Sequence, residues 1–323
     1  MGYFSADFHN HATMYLMAKV FEAHDPKRFK VYAYSFGPDH NDEMRQRLVK
    51  AVDIFKDVKA KSDKEIAKLA QKDKIDIAVD LKGYTQLARP GIFSYRAAPI
   101  QISYLGYPGT MGADFYDYII ADKIIIPEEQ KRNYSENIIY LPSCYMPQDS
   151  SRLISDKPLT RQNFNLPENG FVFCSFNNSF KITPKEFDIW MRLLSKIDGS
   201  VLWLLKANKS SEDNLRIEAK KRGVEPNRLI FADKIAVEEH LARQRLADLF
   251  LDTFPYTAHS TCSDVLRIGL PVLTCMGESF TSRVSASFLH TMMIPELITT
   301  SYEEYEKLAN KIANDKDLSL IHI

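Results

Sequence analysis

Short apolar runs alternate with amphipathic segments along the first half of the chain. The apolar runs have the length of buried strands, and the segments between them repeat apolar residues at helical spacing. Strands that alternate with helices predict parallel β-α-β units. The predicted strands are Gly2–Ser5, Lys30–Phe36, Ile75–Leu81, Gln101–Leu105 and Tyr118–Ala121, and the predicted helices are His11–Phe21, Asn41–Val52 and Asp63–Ala70.

The second half repeats this alternation with clearer boundaries. Thr183, Pro184 and Glu186 supply an N-cap, a first-turn proline and a capping glutamate for one helix, and Ser62 and Glu65 give a capping-box signature in the first half. The predicted strands are Phe171–Phe176, Val201–Leu205, Arg228–Phe231, Leu249–Asp252 and 271–275, and the remaining predicted helices are Ser211–Arg222, Glu238–Leu246, 260–268, Phe280–His290 and one from Tyr302.

A length of 323 residues predicts two domains. Residues Pro142–Pro158 lack periodicity and are rich in turn-forming side chains, which predicts a linker. We therefore expect an α/β protein of two doubly wound domains, 1–150 and 151–323. Ligands of such sheets bind at the carboxyl ends of strands, which for two facing domains means the cleft between them. The abrupt beginning and end of the chain predict a fragment of a longer protein.

Composition narrows the class of protein. Lys plus Arg equals Asp plus Glu, at 42 each, so we expect neither nucleic acid nor an anionic membrane as a partner. The sequence has no signal-peptide pattern and no apolar run near 18 residues. The scattered cysteines predict reduced thiols and a cytoplasmic location; they are Cys144, Cys174, Cys262 and Cys275.

Residues 251–273, LDTFPYTAHSTCSDVLRIGLPVL, carry the main candidate for a binding site. A buried strand is followed by the loop Thr253–Ala258 and then by His259, Ser260 and Thr261 at a predicted helix start. Unpaired N–H groups, the helix dipole and two hydroxyl groups suit a phosphate or diphosphate. An ordinary N-cap would use the same residue types.

Other candidates follow other predicted strands. Lys181, behind a run of small polar residues, could contact a phosphate as a point charge or could be a solvated surface lysine. His9 and His11 follow the first strand, and His240 opens a predicted helix. The glycine-rich turn around Gly106 would let a ligand approach the backbone, although an irregular connection without a ligand would have the same composition.

Several common signatures are missing from the sequence. It has no Walker motif, no GxGxxG after the first strand, no GxSxG and no zinc-type spacing of His and Cys. The pair Asp315 and Asp317 lies in a predicted terminal helix, away from any apolar strand end. Paired carboxylates that would hold Mg²⁺ on a diphosphate are therefore not indicated.

Eight blocks in one order carry a family resemblance. They are SADFHNHATMYLM, DLKGYTQLAR, APIQISYLGYPGTMGADFYDYIIAD, FNNSFKITP, VLWLL, RLIFAD, EEHLARQRLADLFLDTFPYTAHSTCSDVLRIGLPVLT and GESFTSRVSASFL. Together they resemble the catalytic region of the O-linked N-acetylglucosamine (O-GlcNAc) transferases, the family that includes the plant Spindly proteins. The resemblance covers nearly the whole chain.

This resemblance implies a GT-B fold, with two Rossmann-like domains, the first on the acceptor side and the second binding the nucleotide sugar. It implies inverting, metal-independent transfer of N-acetylglucosamine from UDP-GlcNAc to Ser or Thr of a protein or peptide, with no cofactor. Lys181 would be the cation on the diphosphate, assisted by Ser260, Thr261 and the amides after His259. Nucleotide-binding positions match Asn178, His240, Arg243 and Asp264, a donor-lining turn matches Leu105 and Gly106, and proton acceptors proposed in the family match His11 and Asp73.

The chain departs from the family pattern in ways that keep alternatives open. Tetratricopeptide repeats, which usually precede this region, are not in the sequence. Ser260 stands for a Thr and Asn178 for a Gln, and Val237 and Tyr15 stand where a lysine and a histidine are usual. The alternatives are a donor such as GDP-fucose, or UDP-glucose transferred to Asn, and an inactive nucleotide-binding fragment of a larger repeat protein.

Overall fold

The computed structural model describes residues 1–315. The chain divides into two compact units, residues 1–152 and the residues from Leu153 onward. Both are parallel α/β sheets, which confirms the prediction of two doubly wound domains. The division falls within Pro142–Pro158, the segment that the sequence predicts as a linker.

The first unit is a seven-stranded parallel sheet. Its strands are β1 (Gly2–Ser5), β2 (Tyr32–Ser35), β3 (Ile54–Asp57), β4 (Ile77–Asp80), β5 (Ile100–Ser103), β6 (Tyr118–Ala121) and β7 (Asn137–Tyr140), and its helices are α1 (Ala12–Glu22), α2 (Glu43–Ala51), α3 (Asp63–Lys72) and α4 (Gly91–Ser94). In the strand order β3-β2-β1-β4-β5-β6-β7, strands β2 and β3 are added on one side of β1 and strands β4 to β7 on the other, so the order switches between β1 and β4. Ligands of open α/β sheets bind at such a switch point.

The second unit is a six-stranded parallel sheet within the described residues. Its strands are β8 (Val172–Ser175), β9 (Val201–Leu205), β10 (Leu229–Ala232), β11 (Leu249–Leu251), β12 (Val272–Cys275) and β13 (Ile298–Thr299), and its helices are α5 (Pro184–Lys196), α6 (Lys209–Lys221), α7 (Val237–Arg243), α8 (Ser260–Arg267), α9 (Val284–Thr291) and α10 (Tyr302–Asn314). The order β10-β9-β8-β11-β12-β13 reverses between β8 and β11. Trp190 of α5 and Trp203 of β9 are fully buried in its core.

Three strands that the sequence did not predict, β3, β7 and β13, lie at sheet edges. An edge strand is not enclosed on all sides, so it need not be a continuous apolar run. Strand β3 ends in Lys56 and Asp57, and β13 has two residues. At the chain end, Asp315 follows α10, and Asp317 lies outside the described residues.

The predicted helix signals are confirmed. Ser62 and Glu65 form a capping box at the start of α3, and Thr183 and Glu186 form one at the start of α5. Helix α8 begins at Ser260, and Gly269 just beyond its end has φ of +83°. A left-handed residue at that position favours glycine and stops the helix.

Candidate active site

The candidate site of the second unit begins at the carboxyl ends of β8 and β11. Asn177 and Asp252 follow these two strands, and both are buried. Asn177 Nδ2 donates to Asp252 Oδ1 at 3.2 Å and to Thr253 Oγ1 at 2.9 Å. The two strands of the switch point are thus joined by side chains directly beyond the sheet.

Asp252 shapes the loop that follows β11. Its Oδ1 accepts from the N–H groups of Thr253 at 2.9 Å and Ala258 at 2.7 Å, and its Oδ2 accepts from Thr274 Oγ1 at 2.7 Å. Burial raises the pKa of Asp252, while hydrogen bonds from its neighbours oppose that rise. One buried carboxylate therefore fixes both ends of the loop 253–258.

Lys181 lies against this loop. It ends a 3-10 turn, Ser179–Lys181, that follows β8, and its Nζ donates to the carbonyl oxygen of Thr257 at 2.8 Å. The same Nζ lies 4.0 Å from the ring centroid of Tyr256. Burial lowers the pKa of Lys181 to about 8, although the charge of Asp252 pulls it upward. A partly desolvated ammonium group is a strong point charge for an anion.

His259 stands at the entry to α8 and is neutral at physiological pH. Burial, together with the Lys181 charge, lowers its pKa to about 3. Its Nε2 lies 3.3 Å from the carbonyl oxygen of Thr281. A neutral imidazole facing a carbonyl must donate from that nitrogen, so Nδ1 of His259 is an acceptor. The ring centroid of Tyr256 is 4.9 Å from that of His259.

Helix α8 directs its amino end to the same place. His259 precedes it without a side-chain capping bond. Ser260 and Thr261 form its first two positions, and within residues 1–315 their hydroxyl groups have no hydrogen-bond partner. Since Tyr256 contacts both Lys181 and His259, the lysine and the helix start belong to one site. Asp264 follows on α8, half-exposed.

Arg243 and His240 of α7 form a second cluster beside the end of β8. Arg243 donates from Nε and Nη2 to His240 Nδ1 at 3.1 and 2.8 Å, and from Nη1 to the Asp233 carbonyl oxygen at 2.8 Å. Burial lowers the pKa of Arg243 to about 10. The His240 ring packs edge-on against Phe176 at 5.2 Å. Arg243 therefore orients His240, and exposed Asn178 lies two residues beyond Phe176.

In the first unit, His11 caps α1 near the end of β1. Its Nδ1 accepts from the Thr13 N–H at 3.2 Å and lies 3.6 Å from Asp7 Oδ2, which accepts from Lys82 Nζ at 2.6 Å. Burial lowers the pKa of His11, against the pull of Asp7. Because Nδ1 accepts, the neutral ring carries its proton on Nε2 and can donate from there.

Leu105 and Gly106 form a tight turn after β5. The Gly106 N–H donates to the Tyr104 carbonyl oxygen at 2.8 Å, and Leu105 between them has φ of +68°. A side chain at Gly106 would place its Cβ 2.1 Å from the Leu81 carbonyl oxygen. Glycine is required here because the backbone after β4 approaches so closely.

Asp73 lies at the opposite end of this sheet, where the strands begin. It ends α3, whose chain then enters the amino end of β4, whereas His11 follows the carboxyl end of β1. Its carboxylate accepts from Lys56 Nζ and from the hydroxyl group of Tyr34 at 2.7 Å. The structure does not bring Asp73 together with His11.

Sequence reasoning missed several members of the site. Asn177, Asp252, Tyr256 and Thr281 were not among the candidates, although each follows a strand or lies near α8. The available signal was position, since polar and aromatic residues just beyond buried strands tend to face the end of the sheet where ligands bind.

A cavity of about 440 Å³ also lies at this end of the sheet, lined by residues that include Phe254, Cys275 and Tyr302 but neither Lys181 nor His259.

No cluster of three or more His, Cys, Asp or Glu residues within residues 1–315 has a geometry that could hold a metal ion. Over the same range, no helix has the length and apolar character needed to cross a membrane.

The two sheets and their order match GT-B glycosyltransferase structures. A solved O-GlcNAc transferase mutant from Thermobaculum terrenum is 29% identical, covers 98% of this chain and 60% of its own, and superposes with a TM-score of 0.91. An Anabaena protein solved with UDP and glucose has the same fold at 14% identity and a TM-score of 0.60, with 98% and 90% coverage. The chain is therefore a two-domain protein of the GT-B fold class.

The family follows from the sequence match. The chain belongs to glycosyl transferase family 41, whose profile matches residues 1–158 and 155–322. A probable UDP-N-acetylglucosamine–peptide N-acetylglucosaminyltransferase, SEC, of Arabidopsis thaliana is 38% identical over 98% of this chain. The corresponding transferase of Caenorhabditis elegans is 27% identical over the same share. The chain spans 33% and 37% of these relatives' lengths.

Proposed function

We propose that this chain is the catalytic region of a protein O-GlcNAc transferase. It transfers N-acetylglucosamine from UDP-GlcNAc to a Ser or Thr hydroxyl of a protein or peptide, with inversion and without a bound metal ion. The supporting observation is the meeting of Lys181 with the amino end of α8 at the β8/β11 switch point. The relatives' names support the donor and the acceptor class.

The second domain takes the leaving group. The acceptor oxygen forms a bond to the anomeric carbon as the bond from that carbon to the β-phosphate oxygen breaks, and the electron pair leaves with UDP. Lys181, Ser260, Thr261 and the first amides of α8 then face the charge that develops on the phosphate. Fixed donors in a partly desolvated site stabilise such charge strongly.

The nucleoside is held by the second cluster. Arg243 fixes His240, which carries its proton on Nε2 and presents a donor, and Asn178 and Asp264 supply further polar contacts. Neutral His259 adds an acceptor at Nδ1. The resemblance to the O-GlcNAc transferases supports these assignments, with Asn178 standing where a Gln is usual.

The first domain serves the acceptor. His11, with a donor at Nε2, lies at the carboxyl end of β1, and the resemblance assigns the Leu105–Gly106 turn to the lining of the donor site. The acceptor proton passes to water, since the neutral form of His11 has no lone pair at Nε2. In this proposal Asp73 does not contact the reacting atoms. A longer parent protein, cytoplasmic and with tetratricopeptide repeats, would supply acceptor recognition.

Transfer of N-acetylglucosamine to a peptide library, read by mass spectrometry, tests the proposal. Lys181→Ala should lower the rate by about 10²- to 10³-fold, the range for losing one fixed donor to developing charge. Lys185→Ala, an exposed lysine on α5, is the matched control and should leave the rate unchanged. Equal rates for wild type and Lys181→Ala would overturn the proposal.

A thermal-shift screen with UDP, GDP and their sugars tests the donor separately. UDP and UDP-GlcNAc should stabilise the protein, because a ligand that binds only the folded state raises its stability. Stabilisation by GDP and GDP-fucose alone would reassign the donor. No shift with any nucleotide would contradict the binding roles given to the second domain.

A further inference from the structure

The ring of Tyr256 occupies a particular position between two residues of the site. Its centroid is 4.0 Å from Lys181 Nζ and 4.9 Å from the centroid of the His259 ring. Its backbone is fixed, because Thr253 Oγ1 donates to the Tyr256 carbonyl oxygen at 2.7 Å and itself accepts from Asn177. The loop backbone that carries the ring is thus fixed from the ends of β8 and β11.

Lys181 depends on few other partners. It donates to the Thr257 carbonyl oxygen, and within residues 1–315 it forms no ion pair and no further hydrogen bond. Two of its three N–H groups therefore have no acceptor there. An ammonium group over an aromatic face is attracted by the ring quadrupole, more so when water is excluded.

We propose that Tyr256 is a positioning residue for Lys181, whose ammonium group its ring face holds at the point where the leaving diphosphate binds. This rests on the proposed function of Lys181. The ring favours the charged amine without neutralising it, so the charge stays available to the phosphate. A carboxylate partner would instead form an ion pair that the diphosphate would have to displace.

Substitutions can distinguish the contribution of the Tyr256 ring from that of its hydroxyl group. The hydroxyl has no hydrogen-bond partner among residues 1–315, so Tyr256→Phe keeps the feature that the proposal needs. Tyr256→Leu removes the ring and keeps an apolar side chain, and Tyr256→Met is a second non-aromatic variant in case the first folds poorly. The charged or titratable groups that face Lys181 are Asp252, His259 and Tyr256 itself.

The experiment is a double-mutant cycle on UDP binding, measured by calorimetry at pH 7. Tyr256→Leu should weaken UDP binding roughly 3- to 10-fold, the value of one cation–π contact, and Tyr256→Phe by less than about twofold. In a Lys181→Ala background, Tyr256→Leu should have no further effect. The alkaline limb of kcat/KM should also move to lower pH in Tyr256→Leu, because the charged amine has lost its support.

Two outcomes would overturn the proposal. Equal losses from Tyr256→Leu in both backgrounds would mean that Tyr256 acts on UDP or on the fold without Lys181. Equal losses from Phe and Leu would assign the effect to the hydroxyl group. A Lys181→Ala protein that binds UDP and transfers sugar like wild type is a different result, because it refutes the proposed function itself.

Discussion

Asn177 and Asp252, the residues that follow β8 and β11, are joined by a hydrogen bond of 3.2 Å from Asn177 Nδ2 to Asp252 Oδ1. The bond crosses the switch point of the sheet, where strand order reverses. Asp252 also holds both ends of the loop that carries Tyr256 and Thr257. The position of Lys181 thus depends on a carboxylate that would not touch the ligand.

We expect Asp252→Asn to destabilise the fold by about 2–4 kcal/mol. The amide group would place a donor among N–H and hydroxyl donors in a buried site, and an unsatisfied buried donor carries a penalty of this order. Urea unfolding measures the change. Asp233→Asn, an exposed carboxylate paired with Lys206, should change stability by less than about 0.5 kcal/mol; a similar loss at both positions would contradict the assignment.

UDP binding should weaken above pH 8. The pKa of free Lys181 is about 8, so the ammonium form, which binds the diphosphate, is lost as pH rises through that value. Affinity should then fall toward tenfold per pH unit. Calorimetry from pH 7 to 9.5 measures it. Lys181→Arg should abolish the alkaline decline, because a guanidinium stays charged, and a decline that persists in this variant would exclude Lys181 as its source.

Acid should destabilise the protein partly through His259. Its pKa is about 3 when folded and near 6.5 when unfolded, so the unfolded state binds the proton more tightly. The contribution to stability is present above pH 6.5 and is lost as pH falls toward 3, at up to about 1.4 kcal/mol per unit. Urea unfolding at pH 7, 6 and 5 should show a shallower slope for His259→Gln. Exposed His290→Gln is the control, and identical slopes in wild type and His259→Gln would refute the prediction.

Gly106→Ala should disrupt the turn after β5. The added Cβ would lie 2.1 Å from the Leu81 carbonyl oxygen, so the backbone must move, and we expect a loss of about 3 kcal/mol or more. Gly112→Ala is the comparison, since Gly112 has φ of +60° but nothing lies within 4 Å of its Cβ position. That variant should lose about 1 kcal/mol. Equal losses would contradict the prediction that the close approach to Leu81 makes Gly106 the more sensitive position.

Asp73→Asn should leave sugar transfer per folded molecule nearly unchanged. Asp73 binds Lys56 and Tyr34 at the amino edge of its sheet, so the expected effect is a loss of stability of about 1–2 kcal/mol. His11→Ala is the comparison and should lower transfer about tenfold, because it removes the Nε2 donor that the proposed function directs at the acceptor. A large loss of kcat in Asp73→Asn, with stability unchanged, would show that Asp73 takes part in the transfer reaction.

The sequence by itself determined the architecture and the main site candidates. Buried strands and capped helices are encoded locally, in the Ser62/Glu65 and Thr183/Glu186 boxes and in runs such as Val201–Leu205. The rule that ligands bind at strand ends then selected Lys181 and the start of α8. Edge strands such as β3 escaped prediction, because a strand exposed on one side carries no unbroken apolar run.

Only the tertiary structure decided how these residues meet. Lys181 and Thr257 are 76 residues apart in sequence, and their contact exists because β8 and β11 are neighbours in the sheet. The same pairing places the Tyr256 ring between Lys181 and His259. Periodicity cannot show such a contact, because it reports which face of an element is buried and not which distant side chain lies against it.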